Sequence, residues 1–572
     1  MIKRGLFMEN GFYPRARLRR ESFLSLDGEW DFAYTKEGEA PKRFEERITV
    51  PFPPESRLSG IGRGHEKNEY MFYRKVFSLP EGFLLGEGEV LLHFGAVDQH
   101  ALVYLNGVPL GEHSGGYLPF SFSVRALLKQ ENELLLRVAD PLDHDLPYGK
   151  QKEKRGGMWY TPHSGLWQSV WMELVPRGGV LDIAVSSTDT EATVTVKSAS
   201  ERLTLSYLDG EERVELAFSG SVTVRPKSAR LWSPEEPNLY PFTVSTEAET
   251  VSSYFALRRL EVKNANGSAR FYLNGKPYFL NGVLDQGYFE GGIVVPETPS
   301  EYEKDILRMK ELGFNMLRKH IKVEPPAFYE ACDRLGMIVF QDAVNNGRYD
   351  FLTQTALPTV AFKRMPRIFL HKSKRAREIF REHTLKMLSE VCFYPSVLLF
   401  TIFNEGWGQS ADADALYKEF KTLYPDMLFD TASGWFKTKA TDMRSDHVYF
   451  KRVRACYKKE KLPVMISEFG GYSYPVEGHL FNTERNYGYG TCKNGEELFA
   501  RLEKLYLGEI VPAIKSGVSG LVYTQLSDVE DETNGFYTYD RTVCKVDKEK
   551  MKDMMRACES AYLSACTASE ES

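Results

Sequence analysis

The sequence predicts a multidomain protein made of a jelly-roll β-sandwich, an immunoglobulin-like β-sandwich and a C-terminal (β/α)8 barrel. Three observations carry this expectation. At 572 residues the chain exceeds what one hydrophobic core normally supports. Its first half alternates apolar and polar residues in short runs broken by Gly, Pro, Asn and Asp. After Asn264 the rhythm changes to short apolar runs separated by helical segments, the pattern of a parallel α/β fold.

The runs EWDFAY, MFYRKVFSL, EVLLHFGAV, HALVYLNGVPL, NELLLRVAD and QSVWMELV place an antiparallel sandwich in residues 1–176. A weaker alternation, from DIAVSS to PFTVST, fits a small immunoglobulin-like sandwich in residues 177–263. Residues 264–572 hold eight strand candidates: PYFLNGVL, NMLRKH, MIVFQD, LLFTIFN, MLFDTA, SDHVYF, PVMISEF and GLVYTQL. Helical connections are plainest at Ser300–Leu312, with Pro299-Ser300 as the expected cap, and at Pro325–Leu335. Asn274-Gly275-Lys276 reads as a hairpin turn. Disorder is expected only in the Ser-rich tail after Ser560.

The net charge of -6 comes from 73 basic and 79 acidic residues mixed along the chain, so no footprint for nucleic acid or a membrane surface stands out. The clusters Lys372-Ser373-Lys374-Arg375 and Lys458-Lys459-Glu460-Lys461 read as solvated helix faces. The amino terminus lacks an apolar secretory core, and no segment is apolar enough to span a membrane, so a cytoplasmic protein is expected. Seven cysteines (332, 392, 456, 492, 544, 558 and 566), odd in number and without CxxC spacing, indicate neither a disulfide framework nor a zinc site.

Barrel chemistry is built where strands end at the C-terminal face, so polar residues closing apolar strands there are informative. Arg318-Lys319-His320, Gln341-Asp342, Asn404-Glu405, Asp446-His447 and Glu468 all hold such positions. Glu405 and Glu468 each follow an apolar run directly, and their separation in sequence leaves room for two intervening strands, so they would face each other across one pocket. Facing carboxyls suggest glycoside hydrolysis, one acting as general acid/base and the other as nucleophile or base. Glu405, beside Phe403 and Trp407, is expected to have the raised pKa of a proton donor. The alternative is structural: both glutamates capping helices or pairing with barrel arginines. Trp407, Trp435, Tyr449, Tyr472 and Tyr523 near the same face are of the kind that stack on sugar rings, and equally of the kind that fill a barrel core.

LDGEWDF, GMWYTPHSGLWQSVWMEL, FYLNGKPYFLNGV, GFNMLRKH, CDRLGMIVFQD, FTIFNEGW and ISEFGGY resemble, in order, segments of glycoside hydrolase family two, the β-galactosidases, β-glucuronidases and β-mannosidases. The resemblance implies a sugar-binding jelly roll, an immunoglobulin-like domain and a catalytic barrel. It further implies Glu405 as acid/base, Glu468 as nucleophile and Asn404 as partner of the sugar 2-hydroxyl, in a retaining double displacement. His320, His447, Asp342 and Asp285 match substrate-contacting positions. After Asn281-Gly282-Val283 the family's Arg-His-Glu is replaced by Leu284-Asp285-Gln286, so the subsite that reads the glycone is altered.

Glucuronidases of the family hold the substrate carboxylate with an Asn-x-Lys pair after strand eight. The corresponding stretch, Glu532-Thr533-Asn534-Gly535-Phe536-Tyr537, lacks that lysine. A neutral glycone of the β-galactoside type is therefore expected, with a uronic acid held by another basic group, such as Lys319 or Arg348, or another pyranose as the alternative. A noncatalytic carbohydrate-binding protein is the rival of a different class. The substrate is expected to be a small glycoside or oligosaccharide. No metal or obligatory cofactor is indicated, and association into a homo-dimer or tetramer is an expectation from the family alone.

Overall fold

The computed structural model describes residues 13–84, 86–356, 370–453, 457 and 460–567. The amino-terminal segment 1–12, Cys456 and Lys458-Lys459 lie outside the described residues. The first region is a sandwich of a six-stranded and a four-stranded antiparallel sheet. Period-two alternation turns Trp30, Phe32, Tyr73, Leu92, Phe94, Val103 and Leu136 into one core between them. The second region packs a three-stranded against a four-stranded sheet around Ile183, Val194, Leu205, Phe242 and Val251.

A short antiparallel sheet then leads into the barrel, through a hairpin in which Asn274 and Gly275 both take positive φ, as a two-residue type I′ connection requires. The barrel strands are β1 (Leu280–Asp285), β2 (Met316–Lys319), β3 (Ile338–Asp342), β4 (Val397–Asn404), β5 (Leu428–Ser433), β6 (Arg444–Val448), β7 (Val464–Gly470) and β8 (Val518–Thr524). They pair in parallel in the order β5-β4-β3-β2-β1-β8-β7-β6, a nearly closed barrel open only between β5 and β6. β4 is a nearly continuous apolar run because both its faces are covered, and every one of its residues is buried.

Helices form the outer layer. α1 (Ser300–Glu311) starts without a side-chain cap, its first-turn Glu301 and Glu303 complementing the helix dipole instead. α2 (Pro326–Leu335) stops at Gly336, in the left-handed conformation. α3 (Lys374–Val391) begins where Ser373 Oγ accepts from the Ala376 amide, which puts Lys374 and Arg375 on an exposed first turn. The Ser-rich end of the chain differs from expectation, since α4 (Lys548–Thr567) continues past Ser560. Met551, Met554, Met555, Cys558, Ala561 and Tyr562 form its apolar stripe, and the Tyr562 hydroxyl both donates to the Phe271 carbonyl and accepts from the Phe271 amide. Six described cysteines are free thiols, and no described helix is long and apolar enough to cross a membrane.

Between the strands Glu131–Ala139 and Gly165–Leu166, the first sandwich sends a long loop across the C-terminal face of the barrel. Tyr148 donates through its hydroxyl to the Gly347 carbonyl at 2.8 Å and through its amide to the Asn345 carbonyl at 3.1 Å. The Thr161 amide donates to Glu530, and Arg155 pairs with Asp531 at 3.0 Å. The mouth of the barrel is thus completed by a different domain.

Candidate active site

β4 ends on Asn404, and Glu405 takes a left-handed φ of 50° while its amide still bonds to the Ser433 carbonyl at 3.0 Å. That turn swings the carboxyl from the strand line into the pocket. Backbone strain in a non-glycine residue costs about 1–3 kcal/mol and persists where surroundings over-determine it, as at functional sites. Across the pocket β7 presents Glu468. One carboxylate oxygen of each glutamate and a ring nitrogen of His447 all lie within 4.8 Å of one another.

Arg318, fully buried at the end of β2, organises the floor. Its Nε donates to Asp342 Oδ1 at 2.9 Å, Nη1 to Glu468 Oε1 at 3.1 Å and Nη2 to Asn404 Oδ1 at 2.9 Å. Because Asn404 spends its oxygen on Arg318, its amide nitrogen is left to donate into the pocket. Glu468 Oε2 accepts from the Tyr449 hydroxyl at 2.8 Å. His447 Nδ1 lies 2.8 Å from Glu405 Oε1, and its Nε2 lies 2.7 Å from Ser433 Oγ and 3.4 Å from Arg318 Nη1. Since Arg318 can only donate, Nε2 is assigned as acceptor and Nδ1 carries the proton.

These environments separate the two carboxyls. Burial pushes Glu405 up to about 7, opposed by Lys150 and Arg318. Burial also raises Glu468, but His447, Arg318 and the Tyr449 hydrogen bond pull it back, and it alone of the two contacts the guanidinium. Burial pushes His447 down to about 4 and His320 to about 3, so both rings are neutral near pH 7. Burial works against ionised Asp342, yet Arg318 and His320 hold its carboxyl below the usual range. His320 donates Nδ1–H to Asp342 Oδ2 at 2.7 Å and keeps Nε2 as an acceptor.

Of the residues singled out from the sequence, the fold brings together Glu405, Glu468, Asn404 and His447, with Asp342 and His320 joined through Arg318. Trp435 meets His447 edge-on with centroids 5.8 Å apart. Trp407 is buried and stacks on Trp159 at 5.3 Å rather than offering a free face. Asp285 accepts from Lys319 at 2.6 Å. Tyr523 stacks on Phe536 at 4.5 Å in the outer aromatic layer, and Tyr472 lies under the Arg501 guanidinium at 5.9 Å.

Sequence reasoning missed two groups. Lys150 comes from the long loop of the first sandwich and is buried, its Nζ 4.9 Å from the Trp407 ring centroid. Among the described residues its Nζ has no hydrogen-bond partner, while its backbone carbonyl accepts from the Tyr160 amide at 3.0 Å. Burial lowers its pKa, countered first by Glu532 and then by Glu468 and Glu405. Glu532, after β8, accepts through Oε2 from Tyr160 at 2.8 Å and from Gln525 at 2.7 Å, and its Oε1 meets no described partner. The signal available was the length and polarity of GKQKEKRGGMWYTPHSG, because a long loop in a sandwich commonly carries function. Glu405, His447 and Glu468 have the spacing of cation ligands, but the same atoms already share protons with each other and with Tyr449.

Three family models match the chain: the glycosyl hydrolase 2 galactose-binding domain-like model at residues 64–168, the glycosyl hydrolases family 2 model at 173–258 and the glycosyl hydrolases family 2 TIM barrel model at 261–484. The chain belongs to glycoside hydrolase family 2. Within family 2 it is 27% identical over 309 residues to a β-galactosidase of Thermoanaerobacter pseudethanolicus, covering 48% of this chain and 40% of that protein. It is 24% identical over 277 residues to a putative β-glucuronidase of Formosa agariphila, covering 44% of this chain and 32% of that one. The chain thus spans well under half of the length of these two relatives. A solved β-glucuronidase of an uncultured Clostridium sp. shares the fold over 96% of this chain and 99% of its own, with a TM-score of 0.73 at 17% identity.

Proposed function

We propose that this family 2 chain is a retaining, exo-acting β-glycosidase with Glu468 as nucleophile and Glu405 as acid/base. The observation that carries the reading is that one carboxylate oxygen of Glu405 and one of Glu468 lie within 4.8 Å of each other. Retaining glycosidases hold their carboxyls about 5–5.5 Å apart, whereas inverting enzymes need about 6.5–9.5 Å to admit a water. In the first half-reaction Glu468, ionised against Arg318 and Tyr449, attacks the anomeric carbon while Glu405 donates its proton to the departing oxygen. Glu405, now a carboxylate, then takes a proton from the water that cleaves the glycosyl-Glu468 ester. A carboxyl near 7 suits both halves. His447 can donate Nδ1–H to either glutamate, and the Asn404 amide is placed for a sugar hydroxyl.

For the glycone, the unpartnered Lys150 Nζ and Glu532 Oε1 supply one donor and one acceptor on the same side of the pocket. That pair suits the hydroxyls of a neutral pyranose and supports a β-galactoside-type substrate, in keeping with the name of the Thermoanaerobacter relative. The second reading is a β-uronide. It is favoured by the same observation that the Lys150 Nζ meets no hydrogen-bond partner among the described residues, while Lys319 is already committed to Asp285 and Glu324. Rates on nitrophenyl β-galactoside, β-glucuronide, β-galacturonide, β-mannoside, β-glucoside and α-L-arabinopyranoside test both. The β-galactoside is expected to be cleaved fastest, releasing the β-anomer first; a uronide cleaved fastest selects the second reading, and no cleavage in the whole panel overturns the glycosidase assignment.

A further inference from the structure

Barrel interiors are usually packed with branched apolar side chains. Just below the two glutamates this barrel carries a buried polar cluster instead: Asp430 and Ser433 from β5, Ser445 from β6 and Ser467 from β7. Ser433 Oγ lies 3.2 Å from Ser467 Oγ and 3.3 Å from Ser445 Oγ, and the Ser445 and Ser467 hydroxyls bond to each other. Burial pushes the Asp430 carboxyl up to about 6, opposed by hydrogen bonding from Ser445 and by Arg318 and Lys437, and reinforced by Asp342. Buried hydroxyls are costly unless hydrogen-bonded, and these three find partners in one another and at the two ends of the chain they form.

His447 is the upper end of that chain. Its Nε2 lies 2.7 Å from Ser433 Oγ, and its Nδ1 lies 2.8 Å from Glu405 Oε1. Arg318 does not supply the hydrogen that Nε2 accepts. The two hydrogens of its Nη1 are directed to the Ser467 carbonyl at 3.0 Å and Glu468 Oε1 at 3.1 Å, leaving Nε2 at a longer 3.4 Å. Ser433 is therefore the donor to the ring, and its oxygen is left to accept from Ser445 or Ser467. Asp430 closes the lower end, where a neutral acid can donate upward into the hydroxyls.

The direction of these bonds decides where the proton of Glu405 sits. A neutral imidazole has one ring hydrogen. With Ser433 donating to Nε2, that hydrogen is on Nδ1 and goes to Glu405 Oε1, so the acid carries its own proton on Oε2, free for a leaving group. With the ring hydrogen on Nε2, Nδ1 would accept from Glu405 and the acid would be spent on the ring. We infer that Ser433, backed by Ser445, Ser467 and Asp430, is a positioning device that fixes the tautomer of His447 and so keeps the Glu405 proton available. These four residues act through His447, not on the substrate. This inference rests on the glycosidase reading proposed above.

The test uses two leaving groups that differ in their need for a proton. 2,4-Dinitrophenolate departs without one, whereas phenolate needs the acid. kcat/KM is measured on the 2,4-dinitrophenyl and phenyl β-glycosides of whichever glycone the wild type accepts best. The ratio of the two within one preparation does not depend on how much of the protein is folded. Ser433→Ala is expected to lose about tenfold more on the phenyl glycoside than on the dinitrophenyl glycoside, the size of one lost hydrogen bond, and Ser433→Thr to recover most of it. Asp430→Ala, at the far end of the chain, is expected to show the same selectivity at about threefold, which Asp430→Asn, still able to donate, recovers. Equal losses on both glycosides in Ser433→Ala, or none on either, overturn the device while leaving the glutamate pair standing. A selective loss in Ser433→Ala with none in Asp430→Ala overturns the part assigned to Asp430. A wild type that cleaves neither glycoside removes the device together with the reading it rests on.

Discussion

Arg318 and Lys319 are neighbours on β2, both fully buried and both bonded to two carboxylates, yet they belong to networks of opposite character. Alternation along the strand sends Arg318 into the barrel, to Asp342 and Glu468, and Lys319 outward, to Asp285 and Glu324. The outer network also holds Lys322, 2.9 Å from Glu324, so two cations meet two carboxylates and the charges balance. The inner network holds one guanidinium against Asp342 and Glu468, with Glu405 as a third carboxyl that has no cation in contact. Balance makes the outer cluster a strut between the strand ends and the helix layer. Excess acid makes the inner cluster keep a proton near neutrality, which is the property that acid/base chemistry needs. Residue types and burial do not separate the two; charge count and unpartnered atoms do.

The comparison breaks most sharply at the inner cluster. Glu468→Gln is expected to lower kcat on nitrophenyl glycosides by about 10⁴-fold or more, the order seen when a nucleophile is removed from a concerted site. Melting temperature should hold, because the excess acid is what is removed. Full activity in this variant would end the nucleophile assignment. Lys319→Met attacks the strut instead. Leaving Asp285 and Glu324 short of a buried cation costs about 3–5 kcal/mol, to be read as a large drop in the melting transition. Protein that remains folded should keep its pH profile. Lys150→Met, between the two in character, is expected to reduce kcat/KM by about 10- to 100-fold on the preferred glycone, the discrimination carried by a lost hydrogen bond to a charged group.

The smallest effects concern protons. Glu405 is protonated up to about 7 when folded and near its ordinary 4.5 when unfolded, so the folded state binds the extra proton across that window. Stability from this group is therefore present at low pH and lost as pH rises through the folded value. The kcat/KM profile is expected to fall on its alkaline side near pH 7 as the proton donor ionises. Glu405→Gln should lose that limb on an activated aryl glycoside, and its melting temperature, compared with wild type, should improve more at pH 8 than at pH 5. An alkaline limb that survives in Glu405→Gln would assign the titration to another group.

Much of this was legible in the sequence because its causes are local. Doubly covered strands are mostly apolar, so LLFTIFN and VMISEF announced themselves, and Glu405 and Glu468 stood out at their ends. Lys150 and Glu532 were not legible, since their roles come from a loop of one domain crossing the mouth of another, a juxtaposition no periodicity encodes. Asp285 illustrates the converse: it ends β1 as an active-site residue would, but the fold gives its oxygen to Lys319. Tyr523, read as a ring near the face, falls on the outward side of β8 because the strand's alternation fixes it there. The terminal helix hid behind its serines, which occupy its outer face while the methionines and Tyr562 face inward.

The most direct test of the central claim is to capture the intermediate. A 2-deoxy-2-fluoro glycosyl fluoride of the accepted glycone slows ester hydrolysis more than ester formation, so the enzyme should gain one sugar mass while activity falls with time. Peptide mapping by mass spectrometry is predicted to place that sugar on Glu468, in wild type and not in Glu468→Gln. A sugar found on another residue, or turnover of the ordinary substrate with the α-anomer released first and no labelled enzyme, would contradict the account.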